Sequence, residues 1–168
     1  MEVKIRQVKV SDAKQLLHYM QQVGTESDNL LFGTEDLSLT VAEMMTMITA
    51  LKKSTNSHLL VAEVDGQLIG SAQLAGNKRT RAKHRASLAI SVLKSHWHQG
   101  VASQLLTQLI AAARKLSIEQ IVLEVRSDNQ AAIALYRKFG FSHFGTLPRY
   151  FKIGTAYYDA DYMHLNLN

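Results

Sequence analysis

The sequence predicts a fold of the α/β (α+β) class, and two stretches carry most of this prediction. Residues 87–109 begin as an apolar run rich in β-forming residues, pass through a polar turn that ends at Gly100, and continue with apolar residues at helical spacing. Residues 121–141 form a similar unit of strand, polar cap, short helix and terminating Gly140. Across the whole chain the apolar periodicity predicts the element order β-α-α-β-β-β-α-β-α-β-β.

The N-terminal segment predicts a strand followed by a helix. Residues 3–10 contain the branched apolar side chains that favour a strand. Ser11 and Asp12 are residues of the types that cap helices, and the helix predicted after them runs to about Val23. A polar loop is predicted over residues 24–39.

A second helix is predicted from Thr40 to about Lys52. Thr40 and Glu43 have the spacing of a capping box, in which each side chain accepts a hydrogen bond from the backbone N–H of the other residue. Methionines in such a helix are interpreted as core filler. The helix is expected to pack through an apolar stripe of Val41, Met44, Met45, Ile48 and Leu51.

Three consecutive strands and a final antiparallel pair complete the predicted sheet. Residues 58–64 and 67–74 are expected to form a hairpin, because Asp65 and Gly66 suit a tight turn between strands. A strand over residues 84–93 follows the hairpin. The closing pair is predicted at residues 141–147 and 157–167, with the only proline, Pro148, in the connection between them.

Composition excludes several classes of protein. With 168 residues, 46% of them hydrophobic and 20% charged, the chain is expected to form a single soluble domain, residues 1–168. It has no cysteine, which excludes disulfides, thiolate metal sites and a cysteine nucleophile. No apolar run approaches the ~20 residues of a membrane span, and the N-terminus lacks the apolar core of a signal peptide. We therefore expect a cytoplasmic protein with no membrane partner.

The formal net charge of +5 favours polyanionic partners, a class that includes nucleic acid and phosphate-rich cofactors. Much of the excess lies in residues 78–85, which we interpret as the solvated tip of a hairpin. The alternatives for this run are substrate steering and oligomer contacts, hence a homodimer; nucleic acid is disfavoured because the run has no aromatic residue for base stacking. Together with Arg149 and Lys152, the positive charge also disfavours a polycationic substrate.

The two strand–loop–helix stretches resemble the acetyl-coenzyme A segments of the GNAT acetyltransferase superfamily. Residues 96–102 are similar to its pyrophosphate loop, Q/R-x-x-G-x-G/A, with Trp97 in the position usually held by Gln or Arg. The second stretch resembles the segment N-x-x-A-x-x-x-Y-x-K-x-G-F, and the resemblance as a whole covers roughly residues 3–167. The matching residues of the second segment are Asn129, Ala132, Tyr136, Lys138, Gly140 and Phe141.

The resemblance implies the GNAT acyl-CoA N-acyltransferase fold, with a mixed, mostly antiparallel sheet of six to seven strands and about four helices. It also implies that acetyl-CoA is the co-substrate. Its pantetheine arm would enter where the strands near residues 84–93 and 119–126 diverge, and its pyrophosphate would meet the backbone N–H groups that open the next helix. The residues that would bind acetyl-CoA are Ile90, Val92, Gln99, Gly100, Val101, Ala102, Ser103, Asn129, Tyr136 and Lys138.

The resemblance assigns the catalytic role to Tyr136, which would protonate the departing thiolate; an aromatic anchor is the alternative role for this residue. A base must act on the acceptor, because an amine of pKa about 10.4 is mostly charged at pH 7. Glu63, Glu124 and Asp159 are open candidates for that base. No metal-ligand spacing is present. By the same resemblance the acceptor pocket would include Glu26, Phe32, Arg149, Tyr150 and Tyr158.

Together these observations predict an acetyl-CoA-dependent N-acetyltransferase. Its acceptor would be the primary amine of a small, amino acid-like molecule or of a peptide N-terminus, which would attack directly in a ternary complex. The alternatives are a polyamine acetyltransferase, a catalytically silent GNAT-fold module that binds coenzyme A, and a nucleic-acid-binding protein. The presence of Asn129 and Tyr136 argues against the silent module.

Overall fold

The computed structural model describes residues 2–168, and its seven strands and four helices follow the predicted order. The expected element types and their order are therefore confirmed, although β1 is shorter than the predicted residues 3–10 and β6 extends six residues beyond the predicted end at residue 147. The elements are β1 Lys4–Gln7, α1 Ala13–Glu26, α2 Val41–Lys53, β2 His58–Val64, β3 Gln67–Gly76, β4 Arg85–Val92, α3 Val101–Lys115, β5 Gln120–Arg126, α4 Gln130–Lys138, β6 Ser142–Ile153 and β7 Ala156–Asn166.

The sheet is mixed and mostly antiparallel, as predicted. Its strands lie in the order β1-β2-β3-β4-β5-β7-β6, and only β4 and β5 run parallel to each other. Gly70 of β3 faces Leu105 of α3, whereas the next residue, Ser71, faces the side that holds Tyr19 of α1. Successive residues of a strand point to opposite faces, so α1 and α3 cover opposite faces of the sheet.

The core is built by apolar side chains at the helical and strand spacings that the sequence shows. On α3, Leu105, Leu106 and Leu109 are fully buried against the sheet. Burial of each such side chain contributes about 1.5–3 kcal/mol relative to leaving it in water. The packing of α3 on β2, β3 and β4 therefore fixes where the helix begins, and with it the position of the loop that precedes it.

The N-terminal helix differs from its prediction at both ends. Asp12 stands at the N-cap position of α1 but does not cap it, because its carboxylate accepts the backbone N–H of Lys9 at 2.7 Å and binds Arg6 at 2.7 Å. At the other end the helix continues through Gly24 to Glu26. Glycine lowers helix propensity by about 1 kcal/mol, a cost that the packing of the helix overrides here.

The second helix has the predicted capping box, with the N–H of Glu43 donating to the Thr40 hydroxyl at 3.2 Å and the N–H of Thr40 donating to the Glu43 carboxylate at 2.7 Å. Its apolar stripe is narrower than predicted. Met44 and Ile48 are buried, but Val41 and Met45 are each 42% exposed.

The closing strands differ in one respect from their prediction. Pro148 lies inside β6 rather than in the connection, which is the turn around Gly154. β6 is the edge strand of the sheet, and its register with β7 shifts between Leu147 and Phe151. Proline lacks a backbone N–H and is tolerated at such an irregular position on an edge strand, where no ladder hydrogen bond is lost.

Candidate active site

Strands β4 and β5 lie side by side only at their N-terminal ends. Residues 85–87 of β4 pair with residues 120–122 of β5, and beyond these three pairs the strands separate. β5 continues in register with β7 as far as Arg126. The C-terminal half of β4 therefore pairs only with β3. The divergence that the resemblance implied is therefore present as a gap in the middle of the sheet.

The backbone of β4 presents hydrogen-bonding groups to this gap. On the side of β3, the carbonyl oxygen of Arg85 accepts the backbone N–H of Asn77 at 3.1 Å, and the backbone N–H of Leu93 donates to the carbonyl oxygen of Ile69 at 2.9 Å. Backbone groups of an antiparallel strand alternate in direction, and the register between Arg85 and Leu93 is regular. The N–H and C=O groups of Leu88, Ile90 and Val92 therefore face the gap, where a ligand with amide groups could bind as an added strand does.

The connection from β4 to α3 forms an array of free backbone N–H groups. His98 and Gly100 have left-handed conformations, with φ of 60° and 79°. The N–H groups of residues 101–103 have no acceptor within the described part of the chain, since the first helical bond runs from Gln104 to Gly100 at 3.1 Å. A β-carbon on Gly100 would meet nothing within 4 Å, so the space before the array is open. Such an array at a helix N-terminus fits a pyrophosphate.

Trp97, which replaces the usual Gln or Arg of the loop, bonds to the strand end. Its indole N–H donates to the carbonyl oxygen of Val92 at 2.7 Å. The side-chain amide of Gln99 likewise donates to the carbonyl oxygen of Ser95 at 2.9 Å. The carbonyl oxygen of Val92 and the side-chain amide of Gln99 are therefore already hydrogen-bonded, and each residue has its backbone N–H group left to contact a cofactor.

The C-terminal end of α1 bridges the two strands where they have separated. Glu26 accepts the backbone N–H of Lys94, just beyond β4, at 2.7 Å. Two residues later the carbonyl oxygen of Asp28 accepts a hydrogen bond from the Arg126 guanidinium at the end of β5, at 3.2 Å. The other carboxylate oxygen of Glu26 accepts from Gln22 at 2.9 Å, so this residue, predicted to bind the acceptor, has a bridging role in the structure.

Arg126 is a site residue that the sequence analysis did not single out. Its side chain is buried and forms two hydrogen bonds with Asp128, at 2.9 and 2.6 Å. This pair raises the pKa of Arg126 and lowers that of Asp128, so both groups stay charged. The guanidinium lies 3.8 Å from the ring centroid of Tyr158, which holds that predicted acceptor residue in place.

A cavity of about 110 Å³ lies between α1, α2 and the strands β3 and β4. At about 30 Å³ for each water molecule, it has room for three or four waters or a small side chain. Phe32, predicted to contact the acceptor, lines it, and the cavity reaches Ile90 of β4. Its other lining side chains include the apolar Met20, Leu30 and Met47 and the polar Ser71, Gln73 and Ser91.

Three hydroxyl groups connect this cavity to the core. The hydroxyl of the buried Tyr19 lies 2.8 Å from Ser91, which lies 3.3 Å from Ser71. Burial raises the pKa of Tyr19 to about 12, so its hydroxyl stays neutral. The sequence offered no signal for this group, because Tyr19 belongs to the apolar face of a helix far from Ser91 along the chain.

Tyr136 is placed on α4 with its ring buried. The residue is 7% exposed, and its ring packs against Phe141 with 5.6 Å between centroids. Burial alone, with no contribution from a hydrogen bond to another described residue, raises the pKa of the hydroxyl above the usual value of 10. The contact with Phe141 fits the anchoring role, and a free, protonated hydroxyl fits a proton donor.

The remaining residues of the second segment flank α4. The side-chain oxygen of Asn129 accepts the N–H of Ala132 at 3.2 Å and so caps the helix. Its amide NH₂ group is left for another partner. Lys138, in the last turn, is exposed and forms no ion pair within the described residues.

The structure brings some of the predicted acceptor residues together and places Arg149 apart. Tyr158 and Tyr162 lie four residues apart on β7, an even spacing, and so share one face. The ring of Tyr150 lies 6.1 Å from that of Tyr162. Arg149 has a left-handed φ of 55°, and its guanidinium stacks at 4.0 Å on Tyr157, which points to the other face.

The three candidate bases have different surroundings. Glu63 of β2, two strands away from β4, is bound at 2.6 Å to Arg6 of the edge strand β1, and Asp159 accepts the backbone N–H of Arg149 at 2.9 Å. Glu124 is half-buried on β5, beyond the point where β4 and β5 separate. It lies opposite Tyr162 and beside Tyr150, whose pKa is raised by burial and by the carboxylate.

Two negative findings hold for residues 2–168. No three His, Asp or Glu side chains among them are grouped as metal ligands would be. Of the four helices, none combines the length and the apolar character needed to cross a bilayer. The predicted homodimer and cytoplasmic location stay predictions.

Comparison with known proteins identifies relatives of this arrangement. Residues 28–141 match the model of the Acetyltransferase (GNAT) family. The L-amino acid N-acetyltransferase AaaT of Escherichia coli is 38% identical over 106 residues, which are 62% of this chain and 65% of AaaT. The N-alpha-acetyltransferase RimI of Mycobacterium tuberculosis is 34% identical over 103 residues, 61% of this chain and 63% of RimI. The alignments thus span somewhat less than two thirds of both relatives.

Solved structures show the same fold over the whole chain. A GNAT-family acetyltransferase from Streptococcus pneumoniae superposes with a TM-score of 0.96 at 29% identity, covering 99% of this chain and 100% of that one. YncA from Salmonella typhimurium, solved with its cofactor acetyl-CoA, superposes with a TM-score of 0.88 at 20% identity, covering 100% of this chain and 95% of YncA. The family model covers more than half of the residues, and the chain belongs to the GNAT acetyltransferase family.

Proposed function

We propose that this chain is an acetyl-CoA-dependent N-acetyltransferase, with a small amino acid-like amine or a peptide N-terminus as acceptor. The observation that carries the proposal is the gap between β4 and β5, because its free backbone groups and the adjacent N–H array suit a ligand with both a pantetheine arm and a pyrophosphate. Two relatives are named for acetylation of amino acids and of N-terminal amines, which supports this class of acceptor.

The residues around the gap can each take one part of the reaction. Acetyl-CoA would supply a thioester, whose acetyl carbon the neutral amine attacks directly while the thiolate leaves. The N–H groups of Ile90 and Val92 would align the pantetheine arm, and one of them would donate to the negative charge that develops on the thioester oxygen. The Tyr136 hydroxyl would give its proton to the departing sulfur.

Glu124 is the carboxylate best placed to take the proton of the acceptor amine. Of the three candidates, Glu63 is held by Arg6 and Asp159 by the backbone of Arg149. Glu124 has no ion-pair partner among the described residues and stands on β5 at the wall of the gap. Its side chain shares a face with Tyr158 and Tyr162, on the acceptor side of the sheet.

The cavity beside β4 favours an acceptor with a small apolar side chain. In a thiol-release assay with acetyl-CoA we expect turnover with methionine, leucine or a peptide beginning with such a residue to exceed turnover with aspartate or spermidine by tenfold or more. The physical reason is the lining of the ~110 Å³ cavity by Met20, Phe32 and Met47, which would leave a second charge desolvated. Faster turnover with spermidine than with every amino acid or peptide would contradict this assignment.

Gly100→Val should weaken binding of acetyl-CoA at least tenfold in calorimetric titration. A β-branched side chain strains the left-handed φ of 79° and places atoms in the open space before the N–H array. Gly66→Val is the matched control, because Gly66 has a φ of 78°, equally open surroundings and a place in the β2–β3 turn. Both variants should lose a similar amount of stability. Equal affinities in the two folded variants would place the pyrophosphate elsewhere.

Trp97→Phe should raise the Kd for acetyl-CoA about three- to tenfold with little change in melting temperature. It keeps an aromatic side chain, though a smaller one, but removes the indole N–H that binds the carbonyl of Val92 at 2.7 Å, a bond of about 0.5–1.5 kcal/mol. Tighter binding by the variant would show the opposite, that the indole competes with the pantetheine arm for this carbonyl. Calorimetric titration distinguishes the two signs.

Tyr136→Phe should lower turnover at least about tenfold while melting temperature and coenzyme A affinity are kept, because the variant loses a proton donor but keeps the buried ring. Wild-type rates in this variant would leave Tyr136 with a packing role only.

Glu124→Gln should also lower turnover, and its residual rate should rise steeply from pH 7 to 10 as the acceptor amine deprotonates by itself. Asp159→Asn is the control for a nearby carboxylate.

A further inference from the structure

Three connecting segments meet at one end of the sheet. They are residues 52–57 from the last turn of α2 onward, residues 77–85 from the end of β3 to the first residue of β4, and residues 114–120 from the end of α3 into β5. Hydrogen bonds join them side by side: the side-chain amide of Asn56 donates to the second segment at 2.7 Å, and the backbone N–H of Glu119 donates to it at 2.8 Å. We call the surface formed by these three segments the basic end.

The basic end accounts for the whole positive charge of the chain. It holds nine of the nineteen Lys and Arg residues and one of the fourteen Asp and Glu residues, Glu119. The rest of the chain therefore has ten cationic and thirteen acidic side chains, a formal net charge of −3. The nine cationic residues are Lys52, Lys53, Lys78, Arg79, Arg81, Lys83, Arg85, Arg114 and Lys115.

These nine side chains are without partners in the part of the chain that the structure describes. All are exposed, and none forms an ion pair or a side-chain hydrogen bond with any of residues 2–168. Like charges this close repel one another, a cost that the fold does not offset with acids of its own. An external polyanion would offset it.

The basic end lies at the opposite end of β4 from the gap. β4 has 8 residues and α3 has 15, so about 20 Å separates the basic end from the loop around Gly100. These cations therefore do not reach the site proposed for the pyrophosphate. The prediction against a polycationic acceptor therefore cannot rest on the net charge of +5, since that charge is not on the acceptor side, and it rests on the lining of the cavity instead.

We propose that the basic end binds the phosphate backbone of a nucleic acid duplex or folded RNA without regard to base sequence. The three segments contain no Phe, Tyr or Trp on which the bases of a single strand could stack. They also lack an exposed large apolar side chain to insert into a membrane, because Leu116 is half-buried and Ile118 is buried. Unpaired cations on a polar surface match the regular phosphates of a duplex.

The test is fluorescence anisotropy with a labelled 20-base-pair DNA duplex of mixed sequence at 50 to 200 mM KCl. The wild-type protein should bind with a Kd of roughly 10⁻⁴–10⁻⁶ M near physiological salt, and affinity should fall steeply with salt. Neutralising three residues, Arg79→Gln, Arg81→Gln and Lys83→Gln, should weaken binding tenfold or more at 50 mM. The slope of log affinity against log salt should drop by about 0.9 for each lost contact.

The matched control removes the same charge elsewhere, through Lys4→Gln, Lys14→Gln and Lys152→Gln, three exposed residues outside the basic end. It should bind within about twofold of wild type. Equal weakening in the two triple variants, or no duplex binding by the wild type, would overturn the proposal. Co-sedimentation with phosphatidylserine vesicles in the absence of duplex binding would also overturn it and would assign the surface to a membrane.

Acetyl transfer separates this proposal from the proposed function. The triple variant of the basic end should keep the wild-type turnover, because about 20 Å lies between the two surfaces. Loss of duplex binding with intact turnover supports the basic end as an independent site. Loss of both in a folded variant would contradict that independence.

Discussion

The separation of β4 from β5 is the constraint on which the rest of the site depends. Three residue pairs hold the parallel strands together at one end, and the bridge from α1 holds them apart at the other through Glu26 and Asp28. An open strand edge inside a sheet leaves backbone groups that need partners. In this chain Trp97 supplies one of them, and a ligand with amide groups can supply the rest.

The loop after β4 shows how a departure from the usual motif can be accommodated. The N–H array depends on the backbone conformations of His98 and Gly100 and on the position of α3, none of which requires Gln or Arg at the position of Trp97. The indole instead joins the end of the strand to the loop. Strand end and anion site therefore form one unit, so a change at Trp97 is expected to affect the cofactor more than the fold.

Charge is separated along the strands. The end with the gap belongs to the part of the chain that carries the formal charge of −3, and the opposite end carries nine exposed cations and one acid. Helix α3 runs from one end to the other, with no acidic residue in its first turn and Arg114 and Lys115 in its last. Its N-terminus is thus free to attract an anion, while its C-terminus is matched with cations.

The sequence by itself determined the class of fold, the order of the elements and the two stretches that hold Gly100 and Tyr136, because periodicity, caps and glycine positions are local properties. Only the tertiary structure decided the partners of Glu26, Trp97 and Arg126. Glu26 and Arg126 bond to backbone groups of Lys94 and Asp28, which are far away along the chain and come within reach only through packing. Trp97 bonds to Val92, five residues before it, through the shape of the loop between them. The location of the net charge was also decided by the tertiary structure, because the folded sheet brings the cationic residues of three separate segments to one end.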